Sequence, residues 1–416
     1  MSTVHAVSAL RRPVEAVVRP PGSKSLTNRA LVVAALAGGG VSRLHGPLDA
    51  DDTQVMRAGL ANMGTSIDDN DDPWLVLGTD GRLGGGDVDC RASGTTARFL
   101  TAVAALASRP VTIDGTRRLR ERPIGPLVVA LRSIGADIEG DSLPLTVRPS
   151  TLRGGEVQVD ASASSQFLSA MLMLAPMLPS GATIRPVGAP TSRSYVAGTV
   201  EMMRALGARV DSDGTMFAVE GSGYRRAHID IEADASAAVY PMLAAAVTGG
   251  TVAIDGIPET SSQPDLAMCD VLERMGCVVV HTGERILVQG PEGPLRAIDI
   301  DLSSSPDASL AVAVAALFAD GPSRLAGLAT LRLKETDRLL ALSTEIRRIG
   351  AWAAVDGDAL VITPADLGPA QIETYDDHRM AMSFAVAGLR VPGVEIRDPD
   401  CVSKTWPGFF AMLDAL

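Results

Sequence analysis

One pattern recurs through the 416 residues with a period of roughly 70. Each copy runs in the same order: an apolar, Ala-rich helix, a Gly or Pro turn, a β-branched strand, a loop, a second amphipathic helix and a hairpin. The second helix is the easiest part to find, at residues 56–64, 127–135, 200–207, 271–276 and 342–350. Each of these stretches closes on a glycine (Gly64, Gly135, Gly207, Gly276, Gly350), the residue that supplies a left-handed C-cap without strain. The strand after the first helix is equally regular in Val111-Thr112-Ile113, Ala182-Thr183-Ile184, Thr251-Val252-Ala253-Ile254 and Gly393-Val394-Glu395-Ile396. The count comes to six copies, and alternating helices and strands place the chain in the α/β class.

The sixth copy, from Asp377, ends at Leu416 after its second helix and lacks a closing hairpin, whereas Val4 to Val18 reads as strands with no helix before them. The N-terminal strands are therefore expected to complete the sixth copy. That makes residues 20–229 one domain of three repeats and residues 1–19 plus 230–416 the other, with crossings near Arg19-Pro20 and near His228 to Glu232. Two domains also suit the length, which exceeds what one core serves. A cleft between two domains joined by paired crossings is the expected ligand site.

A net charge of −12 and a pI near 5.0 argue against nucleic acid or an anionic membrane as partner. The aromatic content of 3% leaves no stacking platform for single-stranded nucleic acid. Cys90, Cys269, Cys277 and Cys401 show neither Cys-x-x-Cys pairing nor neighbouring histidines, so they are expected to be reduced core residues without metal. No stretch has the length of a membrane span or the layout of a leader, and the expectation is a cytoplasmic protein.

If the copies are equivalent, the residues opening each first helix occupy equivalent places. In order they are Ser23-Lys24-Ser25, Ser93-Gly94-Thr95, Ser164-Ser165-Gln166, Asp234-Ala235-Ser236, Pro306-Asp307 and Asp377-His378-Arg379. Helix capping accounts for the Ser, Thr and Asp residues. It does not account for Lys24, Arg98, Gln166, His378 and Arg379, bulky or cationic groups whose charge opposes the helix dipole; a polyanionic ligand does. Arg29, one turn into the first helix, shares the face that Ser25 starts. Loops add Arg120 and Arg122 before Pro123, the run Lys334-Glu335-Thr336-Asp337-Arg338, and Lys404. Arginine forks suit phosphate and carboxylate, while Asp307 and Glu335 are poor neighbours for an anion unless they handle protons.

These motifs resemble the enolpyruvyl transferases, and in particular the 5-enolpyruvylshikimate-3-phosphate (EPSP) synthase family. The resemblance rests on Pro21-Gly22-Ser23-Lys24-Ser25 with Asn28-Arg29-Ala30, Ala92-Ser93-Gly94-Thr95 with Arg98, Glu121-Arg122-Pro123-Ile124 and Ser164-Ser165-Gln166-Phe167. It continues through Pro306-Asp307, Lys334 to Arg338, Asp377-His378-Arg379-Met380-Ala381-Met382 and Ser403-Lys404-Thr405. It implies a two-domain fold of six βαβαββ units, three per domain. It also implies transfer of the enolpyruvyl group of phosphoenolpyruvate to the 5-hydroxyl of shikimate 3-phosphate, on the way to chorismate, by a monomer with no metal or organic cofactor. Carried over position by position, the resemblance assigns Lys24, Gly94, Arg122, Gln166, Arg338, Arg379 and Lys404 to phosphoenolpyruvate. It assigns Lys24, Ser25, Arg29, Ser164, Ser165, Gln166, Ser192, Tyr195, Asp307 and Lys334 to shikimate 3-phosphate. Asp307 is the implied base toward the hydroxyl and Glu335 the implied acid toward the methylene, with Lys24 and His378 assisting. Two departures, Ala92 and Thr330 where many members carry Asn, bear on affinity and inhibitor response.

The sister class acting on UDP-N-acetylglucosamine usually carries a cysteine in the loop before the Arg-Pro turn, and residues 114–122 contain none. A paralogue acting on another hydroxyl acceptor, or a non-catalytic RNA-end-binding protein of the same fold, would share many of these features.

Overall fold

The computed structural model describes residues 3–188 and 193–416. The glycines that follow the second helices of the first five copies all lie in the left-handed region, with φ of 98° at Gly64, 99° at Gly135, 85° at Gly207, 102° at Gly276 and 111° at Gly350. The helices themselves run Asp51–Asn62, Gly125–Ser133, Arg193–Ala205, Ala267–Arg274 and Arg338–Arg348. They begin earlier than their apolar periodicity does, since the first turn carries polar and small residues that hydropathy does not register; Asp337 caps the last of them by accepting from the Leu340 amide.

The first helices are Lys24–Leu36, Gly94–Ala104, Ser165–Leu174, Ala235–Thr248, Ser309–Ala315 and His378–Gly388. Being apolar on nearly every side, they are interior elements; all residues from Ala30 to Ala37 are buried. The chain divides into two compact units, residues 22–231 and residues 1–21 with 232–416, each with its own apolar core. In the first unit the helix Gly94–Ala104 packs against the other two first helices, and in the second unit all three pack on one another. The polar mouths of three buried helices are thus gathered within each unit.

Around these helices stand small mixed sheets. In the second copy, strand Gly86–Asp89 runs parallel to Val111–Asp114 across the helix, and Asp137–Glu139 with Leu145–Arg148 closes the sheet as a hairpin. The third and fifth copies repeat this order, so each is a βαβαββ unit. The first and fourth copies differ. Glu15–Val18 directly precedes the first helix in the chain but pairs in parallel with Thr251–Asp255 of the fourth copy. His228–Asp230 precedes the fourth copy's helix but pairs in parallel with Val41–His45 of the first. The expectation that both N-terminal strands complete the sixth copy is therefore corrected. Val4–Ala6 does so, antiparallel to Val394–Arg397, while Glu15–Val18 completes the fourth. Alternation marks a stretch as a strand, but its partner is chosen by which sheet edge lacks one. Among the described residues no helix is long and apolar enough to cross a membrane.

The turn before Lys24 depends on Gly22. A Cβ there would lie 2.0 Å from the carbonyl oxygen of Gly46 and 3.2 Å from the amide nitrogen of Leu48, both backbone atoms that cannot swing aside. Gly22→Ala is expected to lower stability by about 1–3 kcal/mol, the usual cost of overpacking. Urea denaturation followed by circular dichroism checks this, and an unchanged midpoint would show that the loop at Gly46 yields freely.

Candidate functional site

In the unit of residues 22–231, Lys24 opens its helix with Nζ 3.2 Å from the buried carboxylate of Asp52. Arg29 lies deeper and is 3% exposed. Its Nε donates to Thr199 Oγ1 at 2.7 Å and its Nη1 to the Ser25 carbonyl at 2.9 Å. Its Nη2 reaches the Tyr195 carbonyl at 3.3 Å and Ser169 Oγ at 3.4 Å, and the rings of Phe99 and Tyr195 flank the guanidinium at 5.3 and 5.8 Å. All of these acceptors are neutral, and among the described residues no carboxylate pairs with Arg29. Burial pulls its pKa down to about 10, with Tyr195 working in the opposite direction, so the group stays charged at neutral pH. A buried cation met only by neutral acceptors keeps a charge that its hydrogen bonds do not offset.

The second helix mouth holds three more groups. Arg98, 4% exposed and over the ring of Phe167, donates from Nη1 to Gln166 Oε1 at 2.6 Å and from Nη2 to the Pro123 carbonyl at 3.1 Å. Gln166 Nε2 in turn donates to Thr95 Oγ1 at 3.1 Å, so both ends of its amide are held. A Cβ on Gly94 would come within 2.7 Å of Arg98 Nη1 and 2.9 Å of Arg122 Nη2, so a side chain here would push one or both guanidinium groups away from this helix N-terminus. The neighbouring Arg120 is spent on a fork to Asp114, at 2.8 and 2.6 Å, and Glu121 pairs with Arg117 and Arg118. Ser164 caps the third helix by accepting from the Gln166 amide at 3.3 Å, and Ser165 is buried beside it. Tyr195 stands on helix Arg193–Ala205, while Ser192 lies outside the described residues.

The other unit is centred on Arg338, 1% exposed. Its Nε and Nη2 fork onto Asp377 at 2.7 and 3.1 Å, its Nη1 donates to Asp307 Oδ1 at 2.9 Å, and Nη2 also lies 2.9 Å from Glu335 Oε2. Burial alone would lower its pKa, but Asp377, Glu335 and Asp307 together raise it. Lys334 Nζ approaches Asp307 Oδ1 at 3.2 Å and Arg379 Nη2 approaches Asp307 Oδ2 at 3.4 Å, while Lys404 Nζ lies 3.7 Å from Glu335 Oε1. Burial would push the Asp307 carboxyl up and Glu335 adds to that. The charges of Lys334, Arg379 and Arg338 nevertheless hold it well below the usual carboxylate range. His378 is buried at the start of its helix, with Nδ1 3.8 Å from Asp377 Oδ1. Asp377 Oδ1 also caps that helix by accepting from the Arg379 amide at 2.9 Å. Below the cluster, the buried Asp265 accepts from the hydroxyls of Ser236 and Ser305, tying two helix mouths together.

The family model for EPSP synthase (3-phosphoshikimate 1-carboxyvinyltransferase) matches residues 9–413. The chain belongs to the EPSP synthase family. Among similar curated proteins, the 3-phosphoshikimate 1-carboxyvinyltransferase of Methanoculleus marisnigri is 42% identical over 414 residues, covering 96% of each chain. That of Mycobacterium ulcerans is 43% identical over 405 residues, covering 95% of this chain and 94% of its own. Among solved structures, EPSP synthase from Acinetobacter baumannii superposes with a TM-score of 0.83 at 24% identity, covering 100% of this chain and 98% of that one. The enolpyruvyl transferase NikO from Streptomyces tendae gives 0.79 at 17% identity, covering 99% and 96%. These two likenesses bear on the fold, which is that of the enolpyruvyl transferases.

Against this family background, the structure brings Lys334, Glu335, Arg338, Asp307, Arg379 and Lys404 into one ion-pair network, and in the other unit Gly94, Arg122 and Gln166 around one helix mouth. Three residues in these clusters have no assignment from the motifs: Asp52 as partner of Lys24, Arg98 as holder of Gln166, and Asp377 as holder of Arg338. Asp52 and Asp377 each stand at a helix start, where a carboxylate reads as a cap. The extra signal was the cation within reach, and that requires the fold.

Folding lowers the pKa of Asp307, so its ionised form adds stability that is complete above the unfolded value of about 3.9 and is lost as pH falls through the folded value. The stability difference between wild type and Asp307→Asn is expected to be largest near neutral pH and to shrink steadily below about pH 4. Chemical denaturation across that range measures it; a pH-independent difference would mean that Asp307 is not held ionised by its cations.

Proposed function

We propose that the protein transfers the 1-carboxyvinyl group of phosphoenolpyruvate to the 5-hydroxyl of shikimate 3-phosphate and releases inorganic phosphate. The observation that carries the reading is the pair Asp307 and Glu335, two carboxylates hung on the single buried guanidinium of Arg338 and surrounded by Lys334, Arg379 and Lys404. Proton carriers embedded among cations suit a reaction that moves protons on a polyanionic substrate. The names of the curated relatives point to the same reaction.

The chemistry divides over these groups. The 5-hydroxyl oxygen attacks C2 of phosphoenolpyruvate while its proton passes to Asp307, and the methylene carbon takes a proton from Glu335. The tetrahedral adduct then loses phosphate, and a proton returns from the new methyl group to the Glu335 carboxylate to restore the double bond. As it stands, Asp307 is a poor base, because three cations stabilise its ionised form. A phosphate or carboxylate that draws Arg338, Arg379 and Lys334 to itself weakens that stabilisation and raises the basicity of Asp307. The substrate's own charge thus prepares the carboxylate that acts on it. The same anion competes with Glu335 for Arg338 and Lys404. Lys24 and Arg122 are assigned to phosphoenolpyruvate, with Gln166 positioned by Arg98. Ser25, Arg29, Ser164, Ser165 and Tyr195 are assigned to shikimate 3-phosphate, whose carboxylate or phosphate suits the charge of Arg29. His378 assists in proton handling.

Release of phosphate from phosphoenolpyruvate is expected with shikimate 3-phosphate and not with UDP-N-acetylglucosamine; the reverse pattern would overturn the assignment. Asp307→Ala is expected to lower kcat by roughly 10²–10⁴-fold with both substrates still binding. Retention of more than about a tenth of wild-type turnover would remove it as the base. Glu335→Gln should slow incorporation of solvent deuterium into the methylene of phosphoenolpyruvate, followed by proton NMR, and undiminished incorporation would place the acid elsewhere.

A further inference from the structure

Asp377 reaches Arg338 by way of an unusual turn. Tyr375 and Asp376 both have φ of 56°, so two successive residues with side chains sit in the left-handed region, at a cost of about 1–2 kcal/mol each. Strain of this kind persists only where the surroundings hold it. The Asp377 amide closes the turn on the Thr374 carbonyl at 2.9 Å, and the tie to helix Arg338–Arg348 is the fully buried Glu345. Its Oε1 accepts from the Tyr375 hydroxyl at 2.7 Å, its Oε2 accepts from the backbone amide of Glu373 at 3.1 Å, and Arg348 Nη1 lies 3.0 Å from Oε2.

Glu345 and Arg338 are on the same helix, seven residues apart, which is about 10 Å along its axis. The segment from Glu373 to Asp377 is tied to the helix at both ends, to Glu345 at one and to Arg338 at the other. Fully extended, its four steps would reach about 13 Å. The left-handed pair takes up the excess, and the helix serves as a ruler against which the carboxylate of Asp377 is set.

We propose that Glu345 and Tyr375 are positioning residues for the reaction: together they hold the Tyr375-Asp376 turn against helix Arg338–Arg348, and so fix the Asp377 carboxylate that aims Arg338 and caps the helix bearing His378 and Arg379. The kinetic part of this inference rests on the reaction proposed above, in which Arg338 and Arg379 receive phosphoenolpyruvate. Burial pushes Tyr375 up to about 12, with the bond to Glu345 acting in the same direction, so the hydroxyl keeps its proton and donates throughout the working range.

The test uses Tyr375→Phe, Glu345→Gln and the double variant in the full chain. Wild-type turnover is measured first and by itself decides the reaction. Amide hydrogen exchange of residues 373–379, followed by mass spectrometry without substrate, then reads whether the turn is held. Tyr375→Phe is expected to speed that exchange, to raise KM for phosphoenolpyruvate about five- to tenfold, the upper end of what one ordinary hydrogen bond contributes and less than the full worth of a charge-assisted one, and to leave KM for shikimate 3-phosphate within about twofold. Adding Glu345→Gln to Tyr375→Phe should bring less than the product of the separate effects. Unchanged exchange would show that the pair does not hold the turn. Faster exchange with unchanged KM at a temperature where the variant is folded would make the pair merely structural; either result overturns the proposal. Should Glu345→Gln fail to fold, Tyr375→Phe alone decides, since it removes one oxygen from a side chain that reaches the surface. If wild type shows no turnover, the reaction is wrong, and the exchange data still decide whether Glu345 and Tyr375 hold the turn.

Discussion

Arg338 is the point on which the C-terminal unit's chemistry hangs. A guanidinium with 1% exposure is tolerable only when its donors are met, and here three carboxylates meet them: Asp377 at Nε and Nη2, Glu335 also at Nη2, and Asp307 at Nη1. The division matters. The Asp377 carboxylate has a second anchor, because it is also the cap of the following helix. Asp307 and Glu335 are shared with Lys334, Arg379 and Lys404, whereas Asp377 serves Arg338 and its own helix. Lysine could not replace Arg338, since a point charge cannot present a fork to one carboxylate and a separate donor to another.

Three buried helices converging in each unit explain why polar chemistry gathers where it does. A helix that is apolar all round has only its ends to offer, and the free amides of the N-terminus favour negative charge. Arg29, Arg98 and Arg379 are built into the first two turns that follow, where their charge opposes the dipole. Arg29 is met by neutral acceptors and aromatic rings, Arg379 by the carboxylate of Asp307. The first arrangement leaves the cation's charge uncompensated, while the second cancels it within the protein.

Much of this was legible before the fold was known. Gly64, Gly135, Gly207, Gly276 and Gly350 announce their helix ends because left-handed backbone has one cheap occupant. Lys24, Arg122 and Lys334 to Arg338 stand out because nothing in a helix mouth or loop requires such charges. What could not be read is whatever depends on a partner far away in the chain. Glu15–Val18 shows that it is a strand but not that Thr251–Asp255 is its neighbour. Asp52 and Asp377 look like ordinary caps until a cation is found across from them. Glu345 is one more acid on an amphipathic helix, and only the fold reveals that it faces inward.

The exchange of edge strands at the two crossings has a consequence for synthesis on the ribosome. Residues 22–231 form one continuous unit, closed by His228–Asp230, and can fold as soon as that strand has emerged. The earlier strands Val4–Ala6 and Glu15–Val18 have no such partner in reach. Their neighbours, Val394–Arg397 and Thr251–Asp255, are translated tens of seconds later at about 5–20 residues per second. During that interval the leading segment must stay unpaired while a finished unit forms behind it. Its brevity, with strands of three and four residues broken by Pro13, makes it a weak template for wrong pairing until the partner arrives.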